Sequence, residues 1–316
     1  MALLSLSVVI PTHDTRELTL QCLGSLGQGG AALAEVIVVD DASSDGTADA
    51  VKTFDPGVIV VAADGNIGFS RAVNLGVGQA SGEIILVLNS DTEVDDGALA
   101  ALVGAFSDDE SLGIGGAELL DFDGTPQWRA GRWPRRGWLF LQASGLGAML
   151  GRLPGRRLFG AGGAARNGPV DWVSGAAIAV RRAVWQSCGP FDEDYHFYCQ
   201  DLDLCASARR AGWSVAVISG FAVLHHHGAT IAASPGASGS FHPAHLWTDL
   251  VRFTGKYEGA DAAKRAAAAL AAGARLRLAG RAVSGVFSSD RQAWKRDTDG
   301  YREGLRALQN RDGGPI

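Results

Sequence analysis

A chain of 316 residues with 47% apolar composition can bury a sizeable core, as one large domain with an accessory tail or as two associated ones. Its 28 basic against 34 acidic residues leave a net charge of −6, which excludes a molecule built to coat nucleic acid. Four scattered cysteines (Cys22, Cys188, Cys199, Cys205) form no C-x-x-C pair; this excludes a disulfide scaffold and a zinc site of that type, and fits a reducing cytoplasm.

Residues 6–10 read as a strand stopped by Pro11, whose fixed φ and missing N–H end a ladder. Thr12-His13-Asp14-Thr15 leads into a helix with Leu18, Cys22, Leu23 and Leu26 on one face. A second strand over 36–39 ends in Asp40-Asp41, and residues 42–47 have loop and helix-cap composition. The third, 58–62, runs out near Asp64-Gly65-Asn66. Residues 70–80 read as a helix, and Ser81-Gly82 turns the chain into a strand over 84–88. That strand ends in an amide, a hydroxyl and a carboxylate, Asn89-Ser90-Asp91, before Asp95 and Asp96 open another helix. The order β-α-β-α-β-α-β predicts a Rossmann-like, mostly parallel sheet flanked by helices. Ligands of such sheets gather outside the carboxyl ends of strands. Asp14, Asp40, Asp41, Asn66 and Asp91 are therefore expected along one nucleotide-binding edge, although each type also caps helices and shapes turns.

No G-x-G-x-x-G follows the first strand, since Gly27-Gln28-Gly29-Gly30 comes after a helix, and no P-loop is present. Acids stand where those folds place glycines, so phosphates are expected to be held largely through Mg²⁺ or Mn²⁺, which bridge carboxylates to diphosphates.

Four motifs in order carry a resemblance: Val8-Val9-Ile10-Pro11-Thr12; Val38-Val39-Asp40-Asp41 through Gly46-Thr47; Asn66-Ile67-Gly68-Phe69-Ser70-Arg71-Ala72-Val73-Asn74; and Leu88-Asn89-Ser90-Asp91. Over roughly residues 5–232 the chain resembles the inverting family 2 glycosyltransferases of GT-A fold, especially their bacterial rhamnosyltransferase-like branch. The resemblance implies that Pro11, Thr12, Asp14, Asp40, Asp41, Asn66, Asn89, Ser90 and Asp91 hold a nucleotide-sugar donor (dTDP-, UDP- or GDP-linked). Asp91 would end the DxD metal motif, whose first position is Asn89 here. Arg71 and Asn74 are either further donor contacts or helix residues packing on the sheet edge.

Residues 98–106 read as a helix and 113–119 as a strand. From 124 to 170 the chain carries eight arginines and no acid, interleaved with Trp128, Trp133, Trp138, Phe140 and Phe159. This composition suits an anionic membrane surface or a lipid diphosphate acceptor, or a merely solvated insertion. Then come Asp171-Trp172-Val173-Ser174-Gly175, a strand over 176–180, Asp192, and Gln200-Asp201-Leu202-Asp203 opening a helix with Leu204, Ala208 and Ala211 on its apolar face. Carboxylates there often serve only as caps. The resemblance makes Asp201 the general base of the family's ED motif, with Gln200 where Glu is usual and Asp192 and Asp203 as secondary candidates. Trp172, Ser174, Gly175 and Gln200 are expected on the acceptor side.

Strand-like residues 215–218 and 221–224 precede His225-His226-His227-Gly228-Ala229-Thr230. The family's H-x-x-G-x-S pattern selects His225 as a metal ligand beside Asp91, with Thr230 in place of Ser; a solvated histidine loop is the plainer reading. Residues 243–316 are expected to be a helical extension of a catalytic domain spanning 1–242, with a basic, Ala-rich stretch at 264–282 and a loose end at 310–316. No apolar run is long enough to span a bilayer, and the first ten residues lack the basic region and cleavage site of a signal peptide. A cytoplasmic protein, peripheral on the inner face of the cell membrane, is expected. The predicted activity is sugar transfer to a glycan or lipid-linked acceptor hydroxyl with inversion, in polysaccharide or glycoconjugate synthesis. A sugar-1-phosphate nucleotidyltransferase would want a basic, glycine-bearing loop after the first strand. A non-catalytic sugar-nucleotide-binding scaffold is the alternative that Asn89 and Gln200 motivate.

Overall fold

The computed structural model describes residues 4–27, 33–147, 167–195, 198–226, 242–284 and 291–310. In chain order the elements begin β1 (Leu6–Thr12), α1 (Arg16–Leu26), β2 (Leu33–Asp40), α2 (Thr47–Phe54), β3 (Ile59–Ala62), α3 (Phe69–Gln79) and β4 (Ile84–Leu88). Next are β5 (Thr92–Val94), α4 (Ala98–Asp108), β6 (Leu112–Leu120), β7 (Ala130–Gly131), α5 (Arg136–Ser144), β8 (Gly168–Pro169) and β9 (Trp172–Val173). The series closes with β10 (Ala177–Arg181), α6 (Arg182–Cys188), α7 (Gln200–Arg210), β11 (Ser214–His225), α8 (Pro243–Glu258), α9 (Ala260–Ser284) and α10 (Arg291–Asn310). Contacts divide the chain into two compact units: residues 1–132, 164–194 and 200–240, and residues 133–163, 195–199 and 241–316.

The first unit is built on one sheet of order β3-β2-β1-β4-β10-β6-β11-β5, with β8 added on β11. β1 and β4 are buried along their whole length, the pattern of central parallel strands covered on both faces. The pairs β1–β2, β1–β4, β2–β3 and β6–β11 are parallel, so the sheet is mostly parallel, as expected. β10 runs antiparallel between β4 and β6. Asn89 donates its N–H to the Ala176 carbonyl at 2.9 Å, extending that pairing to the end of β4.

Three local features differ from the sequence reading. The buried face of α1 uses Thr19 beside Cys22, Leu23 and Leu26, and Leu18 is only half-buried. Thr19 is tolerated there because its hydroxyl bonds the Thr15 carbonyl at 2.9 Å. β11 is one strand of twelve residues, passing Ser219-Gly220 through a register shift between Val217 and Ala222, with Gly220 at φ 80°. β5, three residues long, follows Asp91 directly and pairs antiparallel with β11, setting His225 opposite Thr92.

The second unit packs α5 with the three C-terminal helices, so residues 133–147 group with residues 242–310. Leu139 and Ala143 are the buried side of α5. Gly273 of α9 permits the approach: a Cβ there would stand 2.6 Å from the Phe140 carbonyl oxygen. Trp247 of α8 is fully buried against Tyr301 of α10, ring centroids 5.3 Å apart. Arg277 lies over the Tyr301 ring at 4.7 Å, and Arg281 meets Asp297 at 3.3 Å. Two of the α9 arginines read from sequence as a basic stripe are thus engaged within the helices. Arg152, Arg156, Arg157, Arg166, Phe159 and residues 311–316 lie outside the described residues.

Candidate active site

The candidates on the first two strands do meet at their carboxyl ends. Thr12 stands opposite Asp40 in the β1–β2 register, and Asp41 donates its N–H to the Thr12 carbonyl at 2.8 Å. Asp40 and Asp41 are 6% and 5% exposed, so both carboxylates are committed to local partners. Asp40 accepts from the Ser43 N–H at 3.1 Å. Asp41 accepts from the N–H groups of Ile67 and Gly68 at 2.6 and 2.9 Å, clamping the loop that carries Asn66. Asp14, with a left-handed φ of 50°, accepts from the Ser44 backbone at 2.6 Å, and that bond, before the Ser44 hydroxyl, holds its carboxyl below the usual range. His13, which the sequence reading passed over, joins these pieces: Nδ1 lies 2.6 Å from the Asp41 carbonyl and Nε2 3.1 Å from Asn66 Nδ2.

Arg71 and Asn74 are drawn elsewhere. The Asn74 carboxamide accepts from Phe191 N–H at 2.9 Å and donates to the Phe191 carbonyl and Glu193 at 2.9 and 3.1 Å. Arg71 pairs with Glu193 at 3.0 Å. Both side chains fasten the 191–193 loop to α3. Asp192 accepts from Asp194 N–H at 3.0 Å within the same loop.

At the end of β4 the Asn89–Asp91 turn is fixed from below. Thr92 donates its hydroxyl to the Asn89 carbonyl at 2.7 Å. Ser90, 2% exposed, shares a hydrogen bond of 2.9 Å with the Thr15 hydroxyl, which lies 2.8 Å from that of Thr12; Thr12 in turn lies 2.8 Å from that of Thr19. Nothing in the sequence marked Thr15 or Thr19, because hydroxyl pairs across three elements have no linear spacing. Cys22 sits under the same turn, and burial pushes its thiol up to about 12.

Asp91 is 2% exposed. Its Oδ1 lies 3.4 Å from His225 Nε2, and its carbonyl accepts from His226 N–H at 2.9 Å. His226 points the other way, to Glu93 at 2.8 Å, as strand alternation requires. His227, Gly228 and Thr230 lie outside the described residues. Among the described residues no three His, Cys, Asp or Glu side chains form a cation cage. A pair suffices for Mg²⁺ or Mn²⁺, which take one or two protein ligands and fill the rest of the shell with phosphate oxygens and water. Asn89 Oδ1, buried and without a hydrogen-bond partner among the described residues, belongs to the same turn. These residues fit a hard divalent cation.

The β4–β10 pairing carries the site across to α7. Ala176, which receives the Asn89 N–H, follows Gly175, whose own N–H donates to Asp201 Oδ2 at 2.9 Å. Asp201 Oδ1 accepts from Leu202 N–H at 2.8 Å. Burial raises the Asp201 carboxyl above its ordinary value against the pull of these donors. Gln200 is 7% exposed, with Oε1 buried and unpartnered among the described residues. Asp203 is buried too. Ser174 donates its N–H to the Arg129 carbonyl at 2.8 Å. Trp172 is buried edge-on against the half-exposed Trp128, centroids 4.9 Å apart, and donates Nε1–H to the Arg132 carbonyl at 3.2 Å. One end of the sheet therefore gathers Thr12, Asp40, Asp41, Asn89–Asp91, His225, Gly175 and Asp201.

Residues 7–162 match the family model described as glycosyl transferase family 2. Over 253 residues the chain is 28% identical to the N-acetylglucosaminyl-diphospho-decaprenol L-rhamnosyltransferase of Mycobacterium tuberculosis, covering 75% of this chain and 81% of that protein. The fold is similar to the mannosyltransferase PcManGT from Pyrobaculum calidifontis in complex with GDP-Man and Mn²⁺ (TM-score 0.57, 16% identity, 98% of this chain and 87% of that one). It is also similar to S. aureus TarS 1-349 in complex with UDP-GlcNAc (TM-score 0.54, 17% identity, 97% and 82%). These likenesses assign the GT-A fold.

Proposed function

We infer, for a chain whose residues 7–162 match the glycosyl transferase family 2 model, that it moves a sugar from a nucleotide-diphosphate donor to an acceptor hydroxyl with inversion. The observation that carries this reading is the joining of Asp201 to the Asn89–Asp91 turn through Gly175 and Ala176. A single displacement needs one base for the acceptor and one group to receive the departing diphosphate, and Asp201 and the Asn89–Asp91 turn are the residues assigned to those two tasks. Asp91 and His225 would hold Mg²⁺ or Mn²⁺. That ion, when bound, neutralises the negative charge that develops on the departing diphosphate. Asp201 accepts the proton of the acceptor hydroxyl as the new bond forms, and its raised affinity for protons suits it as a base. Asp41 acts at one remove, holding the Asn66–Gly68 loop against the nucleotide end. Gln200 and Ser174 flank the base and face the acceptor.

The M. tuberculosis relative acts, by its name, with L-rhamnose on a lipid diphosphate, which makes a rhamnosyl nucleotide and a lipid-linked acceptor the first pair to assay. The exposed Arg135 and Arg136 favour such an anionic acceptor at the inner membrane face. Among the described residues no helix is long and apolar enough to cross a membrane. The test is transfer or donor hydrolysis by the purified chain across a panel of nucleotide-sugars with Mn²⁺. Nucleotide-sugar binding with neither activity would return the non-catalytic scaffold reading that Asn89 and Gln200 motivate.

A further inference from the structure

Gln127 makes three hydrogen bonds from one carboxamide. Its Nε2 donates to Asp121 Oδ1 and to the His225 carbonyl, both at 2.7 Å, and its Oε1 lies 2.8 Å from His225 Nδ1. A carboxylate and a carbonyl only accept, so the amide nitrogen must face them and the amide oxygen must face the ring. That oxygen also only accepts, which places a proton on Nδ1. In the neutral imidazole the lone pair is then on Nε2, the atom 3.4 Å from Asp91 Oδ1. The carboxamide is itself held in place: Gln127 N–H donates to the Leu119 carbonyl at 2.9 Å, and the Asp121–Thr125 turn closes at 2.8 Å.

We propose that Gln127 is a positioning residue that fixes His225 as the Nδ1–H tautomer and aims Nε2, together with Asp91, at the divalent cation of the donor diphosphate. The inference rests on the reading of Asp91 and His225 as cation ligands and adds a side chain that would touch neither the ion nor the sugar. Metal-binding histidines are commonly oriented through their second nitrogen, and removing that partner weakens metal affinity about 10- to 100-fold. A merely structural role, tying the 121–127 turn to β11, would run through the two donor bonds alone.

The test uses the full chain. Side-chain ¹⁵N spectra should show His225 protonated at Nδ1 in the wild type, with its signals broadened as Mn²⁺ is added. Free Mn²⁺, counted by its EPR signal, should show affinity falling about 10- to 100-fold in Gln127→Leu. Gln127→Glu keeps an acceptor for Nδ1 but loses both donor bonds; it should retain the tautomer and affinity within a few-fold of wild type, whereas a structural tie would be lost in both variants. Should Gln127→Leu fail to fold, the wild-type spectrum and Gln127→Glu decide the matter. An Nε2-protonated ring in the wild type, or loss of affinity in folded Gln127→Glu, overturns the proposal. If His225→Ala leaves Mn²⁺ affinity unchanged, the cation reading fails and the proposal falls with it. If His225→Ala weakens binding while Gln127→Leu does not, the proposal alone is overturned.

Discussion

At Asp201 burial and hydrogen bonding oppose one another. Burial raises the carboxyl, while the N–H groups of Gly175 and Leu202 favour the anion. Because the net direction is upward, deprotonation should finish above the ordinary aspartate value of about 4. Activity should therefore rise with pH along an acidic limb displaced to higher pH, read from kcat/KM against pH. Asp201→Asn should lower kcat by about 10²- to 10⁴-fold, the usual contribution of a general base, and leave nucleotide binding near wild type by calorimetry. Asp91→Ala should instead remove the Mn²⁺-dependent part of donor binding in the same calorimetric titration. The sequence marked Asp91 because it ends an apolar run and precedes a new element, whereas Asp201 was marked only by the resemblance to the family's ED motif. For Asn74 the sequence left a donor contact and helix packing side by side, since a helix residue near a strand end reads the same in both; its carboxamide meets the backbone of Phe191.

Elements rather than single residues hold the Asn89–Asp91 turn. The hydroxyls of Thr12 on β1, Thr15 and Thr19 at α1, and Ser90 after β4 form a buried chain. Thr15→Val keeps the volume and removes the central hydroxyl, leaving Ser90 and Thr12 each one partner short. Stability should fall by about 1–3 kcal/mol in chemical denaturation, and donor affinity should fall with it. Thr15→Ser should restore both. The first four strands could be read as short apolar runs, each bounded by turn residues or a proline. β5 has three residues, too few for any pattern, and β11 continues through a bulge at Gly220 where composition argues for a break. Those two elements bring His225 to Asp91, so the family pattern named the histidine while only the register shows how it arrives.

For the molecule as a whole, charge placement matters more than the net value of −6. Arg135 and Arg136 are exposed, while Arg132 reaches Asp171 at 3.6 Å and Arg277 and Arg281 are engaged with Tyr301 and Asp297. Binding to vesicles of anionic lipid is expected at low ionic strength and should weaken as salt is added. Arg135→Glu with Arg136→Glu should reduce co-sedimentation several-fold; equal binding by this variant would assign the membrane contact elsewhere. The basic, aromatic stretch gave no sign that α5 lies against α9, because an Arg- and Trp-rich helix has the same composition against lipid as against Gly273.

The second unit is assembled from chain segments far apart in sequence: 133–163, 195–199 and 241–316. A ribosome making this protein releases α5 more than a hundred residues before the α9 surface that covers Leu139 exists. Until then that apolar face is without its partner, open to chaperones or to lipid. A cut at 242 would make the interval permanent, so a shortened protein should precipitate even though the whole sheet remains in it.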